Sequence, residues 1–426
     1  MTTGALAGTV RPGRAPGARS LSVCKVWIGE YPWDVRVEKV ARALTAAGHR
    51  VHLVARNRTR LATTEQLPEA TVHRLASWRG APGWLNAASM FPAFFNPRWI
   101  RAILLTARRS NADVILCRDL PLAASAILVG RHIGLPVVLD MAENYPAMLR
   151  DRWDVGRMRP LDVLVRNPRF ALALERWVLR RSDHVLTVVE EARAYVIARG
   201  VPPHRVTIVS NTPPLDQLAP LRRTAAGGRG EVQLAYLGRM EEPRGVRVLL
   251  QAAALLATRS FPFRLTLFGD GKDVSDFHAC ARDLGLSRPQ VDFRGRVPNA
   301  EALAALPNAD IGIIPHFASE SWNTTIPNKL FDYMAAGLAV VTSDAKPAER
   351  IVRETGAGLV YRDRDAADLA RAIEVLADPA RRLDCARRGQ AAVRQAYNAE
   401  RDAERLLAAL QQAVASHRRS GRREKA

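Results

Sequence analysis

A lysine and an aspartate one helical turn apart, Lys329 and Asp332, are the residues of this chain with the clearest chemical potential. They fall in a short predicted helix, Lys329–Ala336, which Gly337 ends and a buried strand follows. A lysine at a helix N-terminus attracts phosphate, because the unpaired N–H groups add their own positive end. A carboxylate one turn later can bind sugar hydroxyls. The pair predicts a nucleotide-sugar site; the alternative for each residue is a charge on a helix surface.

Two arginines, Arg239 and Arg244, follow a predicted strand and precede a predicted helix. Two cations at such a place can bind a diphosphate and stabilise the charge that develops on it as a sugar departs. The alternative is a pair of surface arginines in an arginine-rich chain. The spacing favours the diphosphate site.

Glycines end three predicted strands of the second half, where a missing Cβ lets the backbone approach a ligand closely. The segments concerned are Gly238, Gly269-Asp270-Gly271 and Gly295-Arg296. A Gly-x-Gly by itself is equally consistent with a strand-to-helix turn. Arg296 faces either a nucleotide base or the solvent.

The elements that must position these residues form two successive series. Short apolar runs alternate with helical stretches, which predicts parallel sheets flanked by helices. The predicted strands are Leu21–Ile28, Val51–Ala55, Asp113–Cys117, Val137–Asp140, His184–Val189 and Val206–Val209, then Val232–Leu237, Arg264–Phe268, Val291–Arg294, Ile311–Ile314, Ala339–Thr342 and Gly358–Tyr361. Two such series predict two Rossmann-like domains, with a cleft between them as the default ligand site.

The domain boundaries follow from composition. We predict a disordered basic arm over 1–20, a first domain over 21–223, a Gly/Ala/Arg linker over 224–230 and a second domain over 231–396. A last helix over 397–415 and a basic tail over 416–426 complete the chain.

The composition limits the classes of protein to consider. The 426 residues are 48% hydrophobic and 25% charged, which is typical of a folded, water-soluble protein. The formal net charge of +21 attracts anions such as nucleic acid, anionic lipid or phosphorylated small molecules. Four scattered cysteines and no run of eighteen apolar residues favour the cytoplasm and predict no transmembrane helix.

Several segments together resemble the large retaining group of glycosyltransferases called family 4. The segments are Tyr236–Arg239 with Pro243–Val246, Leu267–Gly271, Val291–Val297, the Lys329/Asp332 helix, Ser182–Val188 and Ile208–Asn211, and they occur in the family's order. The resemblance implies the GT-B fold, in which the last helix crosses back to the first domain. It also implies transfer of a sugar from a nucleoside diphosphate sugar to a hydroxyl acceptor, with retention and without a metal.

The resemblance also assigns residues on the donor side. Arg239 and Lys329 would stabilise the leaving diphosphate as catalytic cations, and Asp332 would hold the ribose where the family has glutamate. The implied donor-binding set is Gly238, Arg239, Arg244, Gly269, Asp270, Gly271, Gly295, Arg296, Thr324, Asn328, Lys329, Leu330 and Asp332. Thr324 departs from the family, which often carries a glutamate there. Arg244 stands where lysine is usual.

On the acceptor side, Asp34 and Arg36 follow the first strand, and Glu143 follows the strand that ends at Asp140. The resemblance makes all three candidates for acceptor contact, and Glu143 a candidate catalytic carboxylate. The alternative is a helix-capping aspartate and a helix-surface arginine. Ala142 stands where related enzymes often have histidine, so no role resting on that histidine transfers.

No cofactor and no metal are expected; the nucleoside diphosphate sugar is a co-substrate. Asp363-Arg364-Asp365 most simply caps the following helix. The aromatic stretch from Trp84 to Trp99, flanked by arginines, suits a water–lipid interface, a helix packed on the first domain, or a lid over the acceptor. We therefore expect a cytoplasmic protein, peripheral on an anionic membrane, with a lipid-linked or polysaccharide precursor as acceptor.

Other functions stay open at this point. A GT-B epimerase or phosphorylase would use the same donor without depending on an acceptor. A non-enzymatic nucleic-acid-binding protein would account for the charge, although no compact recognition motif is present. A donor-binding pseudoenzyme would account for Thr324 and Ala142. A soluble natural-product scaffold is the second candidate for the acceptor.

Overall fold

The protein contains two parallel-dominated sheets flanked by helices. The computed structural model describes residues 19–32, 34–76, 78, 80, 82–153, 163, 165–219 and 230–423. Most of the predicted arm, linker residues 224–229 and the last three residues of the predicted tail lie outside this part of the chain. The chain divides into two compact units. The first comprises the described residues up to Thr187, those over Arg193–Val209 and those from Ala403 onward. The second comprises Val188–Ala192 and Ser210–Asp402.

The first unit is built on an eight-stranded sheet with the order β3-β4-β2-β1-β5-β6-β7-β8, in which only β3 is antiparallel to its neighbour. Its strands are β1 Ser22–Glu30, β2 Arg50–Arg56, β3 Thr64–Gln66, β4 Thr71–Arg74, β5 Val114–Arg118, β6 Val137–Asp140, β7 His184–Thr187 and β8 Val206–Ile208. The helices that follow these strands are α1 Val35–Ala46, α2 Gly83–Ala88, α3 Pro97–Arg109, α4 Leu120–Ile133, α5 Tyr145–Asp151, α6 Pro168–Leu179 and α7 Glu190–Ile197, of which the first three residues belong to the second unit.

The second unit is built on a six-stranded parallel sheet with the order β11-β10-β9-β12-β13-β14. Its strands are β9 Val232–Leu237, β10 Phe263–Phe268, β11 Val291–Gly295, β12 Ile311–Ile314, β13 Ala339–Ser343 and β14 Gly358–Tyr361. Its helices are α8 Val246–Thr258, α9 Val274–Asp283, α10 Asn299–Ala305, α11 Lys329–Ala336, α12 Lys346–Thr355, α13 Ala366–Val375, α14 Pro379–Gln395 and the start of α15 Ala399–Arg423.

Continuous apolar runs form the central strands because both sheet faces are covered. Every residue of β5 and of β13 is buried. The last helix supplies Leu406, Leu410 and Ala413 to a core cluster of the first unit, beside α1 and β2. Among the described residues, no helix is both long and apolar enough to cross a membrane.

The second unit begins earlier than the predicted linker, at Ser210. The backbone N–H of Ser210 donates to the carboxylate of Asp402 at 3.0 Å, and so does the hydroxyl of Thr212. Ala219 is held in turn by Gln390, whose side-chain amide donates to its carbonyl at 2.7 Å. These bonds attach residues 210–219 to the second unit.

The helical region after α13 is two helices, and the second, predicted over 397–415, begins at Ala399 and extends to Arg423, into the predicted tail. Asn398 causes the break. Its amide donates to the carbonyls of Val393 and Arg394, while its side-chain oxygen accepts from the N–H of Arg401 at 2.9 Å. One side chain thus ends α14 and begins α15.

Candidate functional site

Tyr333 fixes the predicted phosphate-binding helix, α11, against the sheet of the second unit. Its hydroxyl accepts a hydrogen bond from the N–H of Leu237, at the end of β9, at 2.8 Å. Its ring lies against Gly312 of β12, where an added Cβ would come within 2.3 Å of ring atoms. The helix N-terminus, with Lys329, therefore lies at the carboxyl edge of β9.

Lys329 is a buried ammonium group, with only 6% of its surface exposed. Its Nζ lies 4.0 Å from the ring centroid of Tyr236 and 2.8 Å from where a Cβ on Gly238 would be. Within the described residues Nζ has no hydrogen-bond partner. Burial, and then the charge of Arg244, lower the pKa of Lys329 well below its ordinary value, against the opposing effect of Asp332.

The predicted glycines lie together at the carboxyl ends of β9, β10 and β11. The N–H of Gly238 donates to the carbonyl of Phe268, and that of Gly269 donates to the carbonyl of Gly295, at 2.9 and 2.8 Å. An added Cβ on Gly269 would lie 1.8 Å from the carbonyl oxygen of Gly238. An added Cβ on Gly271 would lie 2.0 Å from the carbonyl oxygen of Met240. Contact between neighbouring loops therefore requires glycine at 269 and 271.

Arg244 lies at the same edge, next to β12. Its Nη1 lies 3.4 Å from Nε2 of His316, and its guanidinium lies 4.7 Å from the ring centroid of Trp322. Gly245 adopts a φ of +71°, and an added Cβ there would lie 1.6 Å from the carbonyl oxygen of Pro315. The loop that carries Arg244 therefore packs directly on the loop that carries His316.

Arg239 is placed differently from Lys329 and Arg244. Its side chain is 69% exposed and pairs with Glu241 at 2.7 Å. Its carbonyl accepts from the hydroxyl of Tyr236 at 2.6 Å. The backbone of Arg239 is thus held beside the lysine site, while its guanidinium lies at the surface.

The other predicted donor-side residues divide by burial. Asp270 and Arg296 are exposed, and the carboxylate of Asp270 accepts from the N–H of Gly271 at 2.8 Å. The hydroxyl of Thr324 donates within its own turn, to the carbonyls of Glu320 and Ser321.

Leu330 and Asp332, both in α11, differ in burial. Leu330 is fully buried in the protein core, so its side chain is positioned for packing. Asn328 and Asp332 are half-buried, and the carbonyl of Asn328 accepts from the N–H of Asp332 at 3.2 Å.

The sequence interpretation missed His316. Its ring is 1% exposed and stacks on Trp322 with the centroids 4.1 Å apart. Burial, followed by the charges of Lys329 and Arg244, lowers the pKa of His316 well below its ordinary value. A histidine directly after the buried strand β12, at the edge where ligands bind in parallel sheets, is the signal that could have found it.

In the first unit, Asp34 caps α1, as the alternative interpretation held. It accepts from the N–H of Val37 at 2.9 Å and pairs with Arg118 at 2.6 Å. Arg36 is not on the helix surface; it is 3% exposed and donates from Nε to Asp140 at 3.0 Å. Arg36, the second residue of α1, is buried because it pairs with the buried carboxylate of Asp140 at the end of β6.

Asp140 is the centre of a buried charge network that the sequence interpretation did not identify. Lys25 of β1 is fully buried, with Nζ 3.8 Å from Asp140. Burial raises the pKa of Asp140, but the positive charges of Arg36 and then Lys25 have the larger combined effect. They lower the pKa of Asp140 to about 2. Burial lowers the pKa of Lys25 to about 8. Asp140 is therefore an ionised structural carboxylate in this unit.

Glu143 is exposed, and its backbone is fixed by a neighbour. Asp119 accepts from the N–H groups of Ala142 and Glu143 at 2.9 and 3.3 Å. Asp119 adopts a φ of 58° and a ψ of 173°, a conformation that costs a non-glycine residue of order 1–3 kcal/mol. The loop that presents Glu143 is thus held in place at an energetic cost.

The Asp-x-Asp sequence caps a helix, as predicted. Asp365 accepts from the N–H of Asp368 at 2.9 Å at the start of α13. Among the described residues, no group of three or more potential ligand residues could hold a metal ion.

Two family models match the chain. Residues 231–378 match "Glycosyl transferases group 1", and residues 34–212 match "Glycosyl transferase 4-like domain". Among curated relatives, the 2-deoxystreptamine glucosyltransferase of Streptomyces kanamyceticus is 26% identical over 67% of this chain and 74% of that enzyme. The phosphatidyl-myo-inositol mannosyltransferase of Mycolicibacterium smegmatis is 34% identical over 32% of this chain and 34% of that enzyme.

Solved structures share the fold. A sucrose-phosphate synthase from Thermosynechococcus elongatus is similar with a TM-score of 0.73 and 18% identity, over 93% of this chain and all of that one. Anabaena HepE, solved with UDP-glucose, is similar with a TM-score of 0.64 and 14% identity, over 93% of this chain and 99% of that one. The two-sheet architecture is that of GT-B glycosyltransferases. The chain is an enzyme and belongs to the group 1, family 4 glycosyltransferases.

Proposed function

We propose that the enzyme transfers a sugar from a nucleoside diphosphate sugar, with UDP the first nucleotide to test. The buried ammonium of Lys329 at the start of α11, which has no hydrogen-bond partner in the described part of the chain, carries this proposal, because a buried charge of this kind is costly unless a ligand neutralises it. Arg244 and the helix N-terminus add positive charge at the same edge. The complex of HepE with UDP-glucose supports the choice of UDP.

The proposed step is retaining and needs no metal. The bond between the anomeric carbon and the diphosphate oxygen breaks, and its electron pair leaves with the diphosphate. Lys329 and Arg244 stabilise that charge, and Arg239 joins them if its exposed side chain turns inward. The acceptor hydroxyl forms the new glycosidic bond and gives its proton to the departing diphosphate oxygen. Asp332 binds the ribose in this scheme, and Asp34 and Glu143 serve the acceptor.

The acceptor proposed first is a lipid-linked or polysaccharide precursor on an anionic membrane surface. The first unit exposes Trp84, Trp78 and Phe95 by 71%, 48% and 44%. Arg98 lies 4.6 Å from the ring centroid of Trp78. Exposed aromatics beside arginines suit the water–lipid interface. The phosphatidyl-myo-inositol mannosyltransferase supports this choice.

A soluble natural-product scaffold is the second candidate acceptor. The 2-deoxystreptamine glucosyltransferase favours it, because that alignment covers more of this chain. Turnover that needs neither class of acceptor would point instead to the epimerase or phosphorylase chemistry. Sequence-selective DNA binding without nucleotide binding would point away from a transferase altogether.

The test is the rise in melting temperature with UDP, ADP, GDP and their sugar derivatives, in wild type and Lys329→Met. We expect a selective rise in wild type that the variant loses, because the variant keeps the side-chain length and removes the charge. Lys346→Met is the matched control. Lys346 is also the first residue of a helix in this unit, but its side chain is exposed. No rise with any compound at millimolar concentration would contradict the proposal.

A further inference from the structure

Nε2 of His316 lies 3.4 Å from Nη1 of the half-buried Arg244, in the second unit. The N–H of Phe317 donates to the carbonyl of Pro243 at 3.2 Å, so the histidine loop and the arginine loop are joined through their backbones. The hydroxyl of Ser343 donates to the carbonyl of His316 and fixes it at the end of β13 as well. The imidazole therefore has a defined position relative to Arg244.

The chemistry of the contact defines the protonation of the ring. A guanidinium donates hydrogen bonds and accepts none. The imidazole must then be neutral, with its Nε2 lone pair toward Arg244 Nη1 at 3.4 Å. Two neighbouring cations and burial favour the same neutral form.

The stack on Trp322 holds the ring plane. The imidazole and indole planes are 23° apart, and the guanidinium of Arg244 lies 4.7 Å from the same indole centroid. Histidine, tryptophan and arginine thus contact one another pairwise. The guanidinium has fewer accessible orientations than a surface arginine, so less conformational entropy is lost when it binds an anion.

We propose that His316 is a positioning residue for the diphosphate site, accepting a hydrogen bond from Arg244 so that the guanidinium is oriented before the donor binds. The inference rests on the proposed function, since the anion is the diphosphate of the donor. His316 acts through Arg244 and does not touch the reacting atoms.

The experiment is a double-mutant cycle on nucleoside diphosphate affinity, measured by calorimetry with UDP, or with ADP or GDP if wild type prefers one of them. His316→Phe keeps a stacking ring and removes the acceptor, whereas His316→Gln keeps an acceptor oxygen near the position of Nε2. We expect His316→Phe to weaken binding about tenfold, the scale of one charge-assisted hydrogen bond. His316→Gln should recover most of that loss.

The cycle separates positioning from a merely structural role. In an Arg244→Ala background, His316→Phe should weaken binding no further, because the group through which it acts is gone. His278→Phe, a histidine that stacks on Phe293 in the same unit and is exposed, is the control and should bind as wild type does. The inference would be overturned if the affinity losses of His316→Phe and Arg244→Ala added in the double variant. It would also be overturned if His316→Phe bound the nucleotide as tightly as wild type. Absence of binding in wild type would instead reject the proposed function. If His316→Phe does not fold, the cycle is run with His316→Leu, which also removes the acceptor and should show the same coupling to Arg244→Ala.

Discussion

At the residue scale, the fate of buried charges distinguishes the two units. In the first unit, Lys25 and Arg36 are neutralised by one carboxylate, that of Asp140. In the second, Lys329 has no bonded partner among the described residues. A buried charge that is paired within the protein serves stability, whereas one without a partner is suited to a ligand. This contrast leads us to assign Asp140 a structural role and Lys329 a binding role.

Asp140→Asn should destabilise the protein by about 3–5 kcal/mol, because it leaves two buried cations without their carboxylate. The pKa of Asp140 is about 2 in the folded protein and about 3.9 when unfolded. Its stabilising contribution is therefore complete above about pH 4 and is lost as the pH falls through about 2. The difference in the free energy of unfolding between wild type and variant should shrink in that range.

Urea unfolding followed by circular dichroism, from pH 6 downwards, measures this difference. Asp384→Asn is the control, because Asp384 is 58% exposed and pairs with Arg388 at the surface at 2.9 Å. Such a pair contributes about 0–1 kcal/mol. A variant at Asp140 as stable as the control would show that the network is not structural.

At the element scale, the carboxyl edge of the second sheet depends on how closely its loops approach. Gly269→Ala should cost about 3 kcal/mol or more and abolish nucleotide binding, because Cβ would meet the carbonyl of Gly238 and φ is +140°. Gly285→Ala is the control, since its φ is +68° and an added Cβ meets no atom within 4 Å. We expect a cost of about 1 kcal/mol there. Thermal unfolding compares the two; equal costs would contradict the packing argument.

The elements were largely predictable because strand and helix periodicity is local. The predicted helix Lys329–Ala336 and the predicted strands Val232–Leu237 and Ile311–Ile314 are confirmed residue for residue. The strands β3 and β4 were missed because they are polar: β3 contains no apolar residue, and Val72 is the one apolar residue of β4.

The site was predictable only in part, since burial and contact depend on the tertiary structure. Lys329 and Arg244 were found from their type and position, and the structure places them at one edge of one sheet. The buried state of Arg36, the stack on His316 and the network around Lys25 could not be predicted. Each depends on a partner distant in the chain: Asp140 lies 104 residues from Arg36, and His316 lies 72 from Arg244.

At the scale of the whole molecule, the net charge of +21 and the exposed aromatics of the first unit predict binding to anionic membranes. The protein should co-sediment with vesicles that contain phosphatidylglycerol, bind neutral vesicles poorly and be released as salt screens the attraction. Trp84→Ser should weaken binding about tenfold, the free energy of burying one large apolar side chain. Val375→Ser is the control: it removes a 40%-exposed apolar residue of the second unit and should leave vesicle binding unchanged. If Trp84→Ser bound the vesicles as tightly as wild type, Trp84 would not be part of the lipid contact.

The last helix has a consequence for how the protein is made. Leu406 and Leu410 complete a core whose other walls are formed before residue 210. At about 5–20 residues per second, a ribosome needs on the order of 10 s or more to synthesise the intervening chain. During that interval the nascent first half exposes an unfilled apolar surface. We therefore expect synthesis of this enzyme to depend on chaperones that hold the nascent chain until the residues from Ala403 onward emerge, and deletion of residues 403–423 to be as damaging as a deletion in the middle of the first sheet.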